Sequence, residues 1–257
     1  FNSGIFTNLS QDHLDYHKNL SAYLKAKLYL FENLIKKKGN VITDEEIPEF
    51  KKIEKIAITK NLKLHTLNNE KNSFKVLSHT FKGESQILQI SYNNLIKNLN
   101  FNLIGKIQLK NLLMAVIAAE QSNLNIDKIF SVIPKLRSVE GRLERIGKIK
   151  NQSKVILDYA HTPGALKTSL LNLREQFPEK KISLLFGCGG NRDQNKRAKM
   201  GNIASNYSDE VFLTDDNPRF ENPKKIRNDI KKGIKGRKII EIPNRGKAIL
   251  ESIKNLN

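Results

Sequence analysis

The chain has 257 residues, 39% hydrophobic and 28% charged, enough for one or two buried cores. No apolar run nears the roughly 20 residues of a membrane span; the N-terminal stretch FNSGIFTNLSQDH lacks a signal peptide's basic start and apolar centre; the single cysteine, Cys188, excludes an internal disulfide framework and fits a reducing cytoplasm. The net charge of +19 raises nucleic-acid binding, but the lysines are spread in short clusters such as Lys36–Lys38 and Lys224–Lys225, without a basic tail or aromatic-interleaved basic motif, so they read as solvated faces that also suit a polyanionic nucleotide.

In chain order, the first predicted helix starts with Ser21 as N-cap and Leu20 as staple, and stops near Gly39. Leu24, Leu28, Phe31 and Ile35 form one apolar stripe at helical spacing, and Lys27 falls inside its arc while Lys25 points away. Two readings stand for Lys27. A buried lysine loses its proton more readily and can react, for instance with carbon dioxide to give a carbamate; alternatively its stem lies on the core edge and the amine snorkels to water. From 40 to 104 the pattern is thinner: apolar runs at 55–59, 74–77 and 87–92 predict strands, with polar turns at Asn68-Asn69-Glu70 and Lys82-Gly83-Glu84. His65 and His79 read there as surface or strand residues.

Gly105 opens an amphipathic helix whose apolar set is Leu109, Leu112, Leu113, Val116 and Ile117, and a further helical segment covers 126–136. From 153 onward, strand–polar–helix units starting near 153, 182, 211 and 239 predict an α/β domain with a parallel sheet and crossover helices. Thr162 with Pro163, Asn222 with Pro223, and Asn244 mark helix starts. The densest polar chemistry follows two of these strands. ISLLF runs into GCGGNRD, and VFLT runs into DDNPR, placing Asn191, Arg192, Asp193, Asp216, Asn217 and Arg219 at carboxyl strand ends, where open parallel sheets bind ligands. Two arginines with acids and an amide suit a small zwitterion; a plain strand–loop–helix with solvated charges is the blander reading of either half alone.

GCGGNRD with TDDNPR resembles the C-terminal domain of the Mur ligases, in the branch that adds meso-diaminopimelate to a peptidoglycan precursor. TNLSQDHLDYH followed by a lysine at position 27 is similar to that family's central-domain segment, and DYAHTP and GRLE are similar to its domain-junction motifs. The resemblance implies an α/β fold in two parts: residues 1–143 as the second part of a central ATPase domain, and 144–257 as a Rossmann-like amino-acid-binding domain. It implies that Lys27, as a carbamate, and His13 hold Mg2+, an ion that prefers hard oxygen donors, with Asp12, Asp15 and His17 in supporting positions. It further implies that Gln108, Asn111, Arg142 and Asp158 contact ATP, that His161 lies near the junction of nucleotide and acceptor, and that Arg192, Asp216, Asn217 and Arg219 hold the amino acid. Gln108 stands where the family usually has Asn; it keeps the amide but is one methylene longer, so a polar helix-start residue is its other reading. Arg142 would otherwise read as a surface residue and His161 as a loop histidine.

The implied substrates are UDP-MurNAc-L-Ala-D-Glu, ATP and meso-diaminopimelate, for a cytoplasmic, monomeric ligase that binds neither nucleic acid nor membrane. No GKT or GKS phosphate loop occurs in the sequence, and the family's GKGHE segment is not reached, so the resemblance implies an internal piece of a longer enzyme. The other readings are a lysine-adding Mur ligase, a folylpolyglutamate-synthase-like ligase and, in another class, a basic nucleic-acid-binding α/β protein, which steeply salt-dependent DNA or RNA binding would reveal.

Overall fold

The computed structural model describes residues 1–11, 16–68, 72–149 and 153–256. The chain divides into two compact units, Phe1–Ser10 with His17–Ser138 and Gln11–Tyr16 with Val139–Asn257. Among the described residues no helix is long and apolar enough to cross a membrane.

The first unit is built on a parallel sheet of β1 (Ser3–Phe6), β2 (Asn40–Thr43) and β3 (Lys63–Thr66), in that order. Val41 and Ile42 are both fully buried because alternate side chains enter opposite faces of the strand. On one face, Phe6 and Val41 pack with α1 (Leu20–Tyr29) and α2 (Phe50–Thr59). The predicted stripe holds: Leu24, Leu28, Phe31 and Ile35 are all buried in that cluster. The cap does not. Asn19, not Ser21, accepts the Ala22 N–H with its side chain, and after Tyr29 the helix widens into a π turn at Leu30–Leu34 instead of running to Gly39. The strand expected at 55–59 is the second half of α2; Ile53 and Ala57 are buried one helical turn apart while Ile58 is exposed.

An antiparallel sheet follows, with β4 (Phe74–Lys82), β5 (Ser85–Tyr92) and β6 (Leu95–Phe101) in sequence order. It contains the other two expected strand runs, and Gly83 makes the first turn at φ 59°. Then come α3 (Lys106–Glu120), which starts after Gly105, and α4 (Ile126–Val132), continued by a 3₁₀ turn through Lys135. Leu109, Leu112, Leu113, Val116 and Ile117 are buried against this sheet, together with Ile42 from the parallel one. The parallel sheet is therefore covered on both faces.

The second unit opens with β7 (Glu144–Lys148) and β8 (Lys154–Leu157), followed by α5 (Pro163–Gln176). β8 was expected within the parallel sheet; it pairs antiparallel with β7 instead. The parallel sheet itself has the order β11–β10–β9, where β9 is Ser183–Phe186, β10 is Glu210–Leu213 and β11 is Ile239–Glu241. α6 (Asn195–Tyr207), α7 (Pro223–Lys231) and α8 (Arg245–Lys254) complete the alternation. Thr162, Asn222 and Asn244 cap α5, α7 and α8 with their side chains, as their sequence contexts predict. Val211 and Leu213 pack with Leu166, Leu170, Met200, Ala204, Ile226 and Ile230, while the intervening Phe212 is turned to the opposite face and is fully buried. The α/β reading of the chain thus stands, with one expected strand found to be helix and another paired outside the parallel sheet.

Candidate functional site

The described site residues fall in three clusters, one in the first unit and two in the second. In the first unit, chemistry gathers at the carboxyl ends of β1 and β2. Lys27 is half-buried, and its ammonium donates to the Asn8 carbonyl at 3.2 Å. It also stands over the Tyr23 ring at 4.9 Å and the Phe6 ring at 5.7 Å, within cation–π range. The stem lies on the core edge while the amine reaches a polar, accessible position. His17 stacks on Tyr23 with ring centroids 4.8 Å apart. His13, Asp12 and Asp15 lie outside the described residues.

At the end of β2, the run Asp44-Glu45-Glu46 is tied down. Glu45 accepts the backbone N–H groups of Leu67 and Asn68, both at 3.1 Å. Asp44 is buried and pairs with Lys110 Nζ at 2.6 Å, and Glu46 binds the same ammonium at 2.6 Å. Burial alone would lower the Lys110 pKa, but the hydrogen bonds to the two carboxylates outweigh it and hold it above the ordinary value. Lys110 lies between Gln108, half-buried in the first turn of α3, and the exposed Asn111. Sequence reading missed this pair; the acid triplet directly after a buried strand was its one visible sign.

The second cluster surrounds Asp158. Its carboxylate accepts the Leu143 N–H at 3.1 Å and the Ser169 hydroxyl. Leu143 has φ 46°, so Asp158 secures a left-handed turn directly after Arg142. The Arg142 guanidinium carbon lies 4.8 Å from the centroid of the Tyr159 ring, which meets the His161 ring edge-on at 5.1 Å. His161 Nδ1 lies 3.1 Å from the Tyr159 carbonyl, and since a carbonyl can only accept, Nδ1 is the donor. Arg142, Asp158 and His161 are thus brought together, and Tyr159, given no role in the sequence reading of DYAHTP, is the ring that stacks with the Arg142 guanidinium.

The third cluster joins the loops that follow β9 and β10. A Cβ on Gly187 would meet the Thr214 carbonyl, and one on Gly190 would overlap the Pro218 carbonyl, so neither position has room for a side chain. Gly190 N–H donates to the Asn217 carbonyl at 2.8 Å, and the Arg219 guanidinium returns a bond to the Gly190 carbonyl at 2.6 Å. Asn217 Oδ1 accepts the Arg219 N–H at 3.2 Å, and Asn191 Oδ1 accepts the Phe220 N–H at 3.0 Å. Asn191 and Arg219 both adopt φ 49°, the left-handed region that most side chains avoid. Arg192, Asp216, Asn217 and Arg219 are all exposed at this carboxyl edge. Cys188 is buried in the loop with its Sγ 3.7 Å from the Met200 sulfur, and burial pushes its thiol pKa up to about 11, so it is a packing residue. The arrangement presents cations, an amide and a carboxylate on a backbone held by reciprocal hydrogen bonds, which suits a zwitterionic ligand.

A model of the Mur ligase middle domain matches residues 1–119, and a model of the Mur ligase glutamate ligase domain matches residues 141–257. A Rickettsia typhi protein named UDP-N-acetylmuramoyl-L-alanyl-D-glutamate–2,6-diaminopimelate ligase is 39% identical over 252 residues, covering 98% of this chain and 50% of its own length. A Clostridium acetobutylicum protein with the same name, numbered 1, is 38% identical over 256 residues, covering 98% of this chain and 51% of its own. A solved structure bearing that ligase name aligns with a TM-score of 0.62 at 30% identity, over 100% of this chain and 53% of the other. A folylpolyglutamate synthase from Mycobacterium tuberculosis, complexed with ADP and AMPPCP, aligns with a TM-score of 0.75 over 98% of this chain and 57% of its own, but at 17% identity it is a likeness of fold alone. The chain spans about half the length of the curated relatives it matches.

Proposed function

The chain belongs to the Mur ligase family, and from that premise we propose that the full-length protein is an ATP-dependent ligase adding meso-diaminopimelate to UDP-MurNAc-L-Ala-D-Glu in the cytoplasm, as a monomer and without nucleic-acid partners. In this reaction the γ-phosphoryl group of ATP passes to the D-glutamate side-chain carboxylate, releasing ADP. An amine of diaminopimelate then attacks the acyl phosphate, and the tetrahedral intermediate expels phosphate as the amide forms. No nucleophilic side chain is needed; positioning and charge neutralisation supply the rate. The names of the relatives favour this reading over a lysine-adding ligase and over a nucleic-acid-binding protein.

The clusters divide the tasks of the reaction. Gln108, Asn111, Arg142 and Asp158 position the nucleotide, with Arg142 stacked on Tyr159 so that its fork of donors meets phosphate or ribose oxygens. His161, in the same cluster as Arg142 and Asp158, serves the acceptor. Magnesium, when bound, neutralises phosphate charge. An ammonium repels a divalent cation, so Lys27 fits the ion only as its carbamate, whose oxygens are hard donors; its half-buried position leaves the amine open to that modification. His13 is the second proposed ligand.

The single observation that carries the substrate assignment is the Arg219 fork, anchored by one Nη to the Gly190 carbonyl at the carboxyl edge of the sheet. Meso-diaminopimelate differs from lysine by one carboxylate beside the distal amine. Arg219, assisted by Arg192, matches that carboxylate; Asp216 and Asn217 match the ammonium. Steady-state kinetics of the full-length protein with both amino acids test it. Meso-diaminopimelate should be used well and lysine poorly, because lysine leaves the arginines unmatched. Equal use of the two would overturn the assignment.

A further inference from the structure

The binding loops rest on an arginine that cannot touch the substrate. Arg197, on α6, has a side chain only 1% exposed. Its Nη2 donates to Glu221 Oε1 at 2.9 Å, and its Nη1 to Asp229 Oδ2 at 3.2 Å. The same Glu221 oxygen accepts the Asn191 N–H at 2.5 Å. A charge buried this deeply is costly unless paired, and removal of a partner strands it. Among the described residues Arg197 Nε and Glu221 Oε2 find no hydrogen-bond partner, so the pair is held by few, specific bonds.

Those bonds lead directly to the ligand-facing groups. Glu221 fixes the Asn191 N–H; Asn191, at φ 49°, turns its side chain to hold the Phe220 N–H; Arg219, also at φ 49°, is the residue before it. The chain from α6 to the Arg219 fork thus runs through Glu221 and Asn191 and joins both loops. Accepting the amino-acid site proposed above, we infer that Arg197 and Glu221 are positioning residues for the meso-diaminopimelate pocket, setting the geometry of Arg219 from beneath. The hydrogen bonds from Arg197 and from the Asn191 N–H hold the Glu221 carboxyl below its ordinary pKa, so it stays an acceptor through the neutral range.

The test uses the full-length protein and three Michaelis constants: for meso-diaminopimelate, ATP and the UDP-dipeptide. Glu221→Ala removes the acceptor and should raise the diaminopimelate KM at least about tenfold, with the other two within about twofold. Glu221→Gln keeps one acceptor oxygen and should recover to within about threefold of the parent, which a loss of packing alone would not produce. An unchanged diaminopimelate KM in the alanine variant, a parallel rise in all three constants, or a glutamine variant as impaired as alanine would each overturn the inference. Should Glu221→Ala not fold by circular dichroism, Asn191→Gly carries the same test: it accepts φ 49° without strain but lacks the Phe220 bond, and an unchanged diaminopimelate KM would be fatal. A parent that ligates no meso-diaminopimelate would instead refute the proposed activity, whatever the variants do.

Discussion

Lys27 and Arg219 carry the sharpest residue-level consequences. The Lys27 ammonium sits against two aromatic faces and the Asn8 carbonyl, a setting that suits a cation, and carbamylation would exchange these contacts for oxygen donors. If the carbamate is the working form, Lys27→Ala should abolish most ligation in the full-length protein, with partial return on adding short carboxylates. Lys27→Arg should stay inactive, since it keeps a positive charge where oxygen is needed; an arginine variant as active as the parent would refute the carbamate. For Arg219, alanine leaves the ligand carboxylate without its charged partner, a loss of roughly 1.5–3 kcal/mol. That is about one to two decades in kcat/KM for meso-diaminopimelate, by roughly 1.36 kcal/mol per tenfold. The nucleotide residues lie in other clusters, so ATP binding, read by calorimetry, should stay near the parent value.

At the scale of elements, the caps that sequence predicts are also the ones that can be tested. Asn222 Oδ1 accepts the N–H groups of Lys224 and Lys225 at 2.9 and 3.4 Å, starting α7 directly after the DNPR loop. Asn222→Ala should cost about 1 kcal/mol, or roughly 2–4 °C in melting temperature, while Asn222→Asp, which keeps the acceptor, should melt near the parent; scanning calorimetry separates the two. Such local chemistry was legible because it is written within three residues. Periodicity was legible too, in the stripe of α1 and the apolar face of α3. It failed at 55–59, where Ile56, Ala57 and Ile58 mimic a short strand, and only the burial of Ile53 and Ala57 against α1 reveals the helix. β8 was misassigned for another reason: its partner is fixed by pairing with β7, and no local pattern encodes which neighbour a strand takes. Pairings far apart in sequence were equally hidden. Lys110 meets Asp44 across 66 positions, and Arg197, in a helix rich in polar residues, gave no sign of being buried.

Across the whole molecule, charge is distributed so that acid should act mainly on the second unit. Among the described residues, four carboxyls there have depressed pKa values. Hydrogen bonds from Arg197 lower Glu221, from Lys232 lower Asp229, and from Lys231 lower Glu241. For Asp209, desolvation pushes upward, but the Arg174 guanidinium and the Ile182 N–H outweigh it. A carboxyl whose folded pKa lies below its unfolded value stabilises the fold above the unfolded value, and that contribution disappears as pH falls through the folded one. The ordinary values here are 3.8 for Asp and 4.5 for Glu, so the loss should begin near pH 4.5 and deepen below it. Lys110 in the first unit responds at the alkaline end: its raised pKa contributes below its ordinary 10.5 and that contribution is lost as pH rises through the folded value. The formal charge of +19 at neutral pH becomes more positive as carboxylates protonate, adding self-repulsion to the same acid limb. Hydrogen exchange measured from pH 7 down to about pH 3.5, corrected for intrinsic rates, should therefore show β9, β10 and α7 losing protection before β1, β2 and α3. Glu221→Gln should shift that loss to a smaller pH dependence, because the substituted side chain cannot take up the proton. Protection lost first from β1 and β2, or an acid limb unchanged in Glu221→Gln, would place the acid-sensitive groups elsewhere in the molecule.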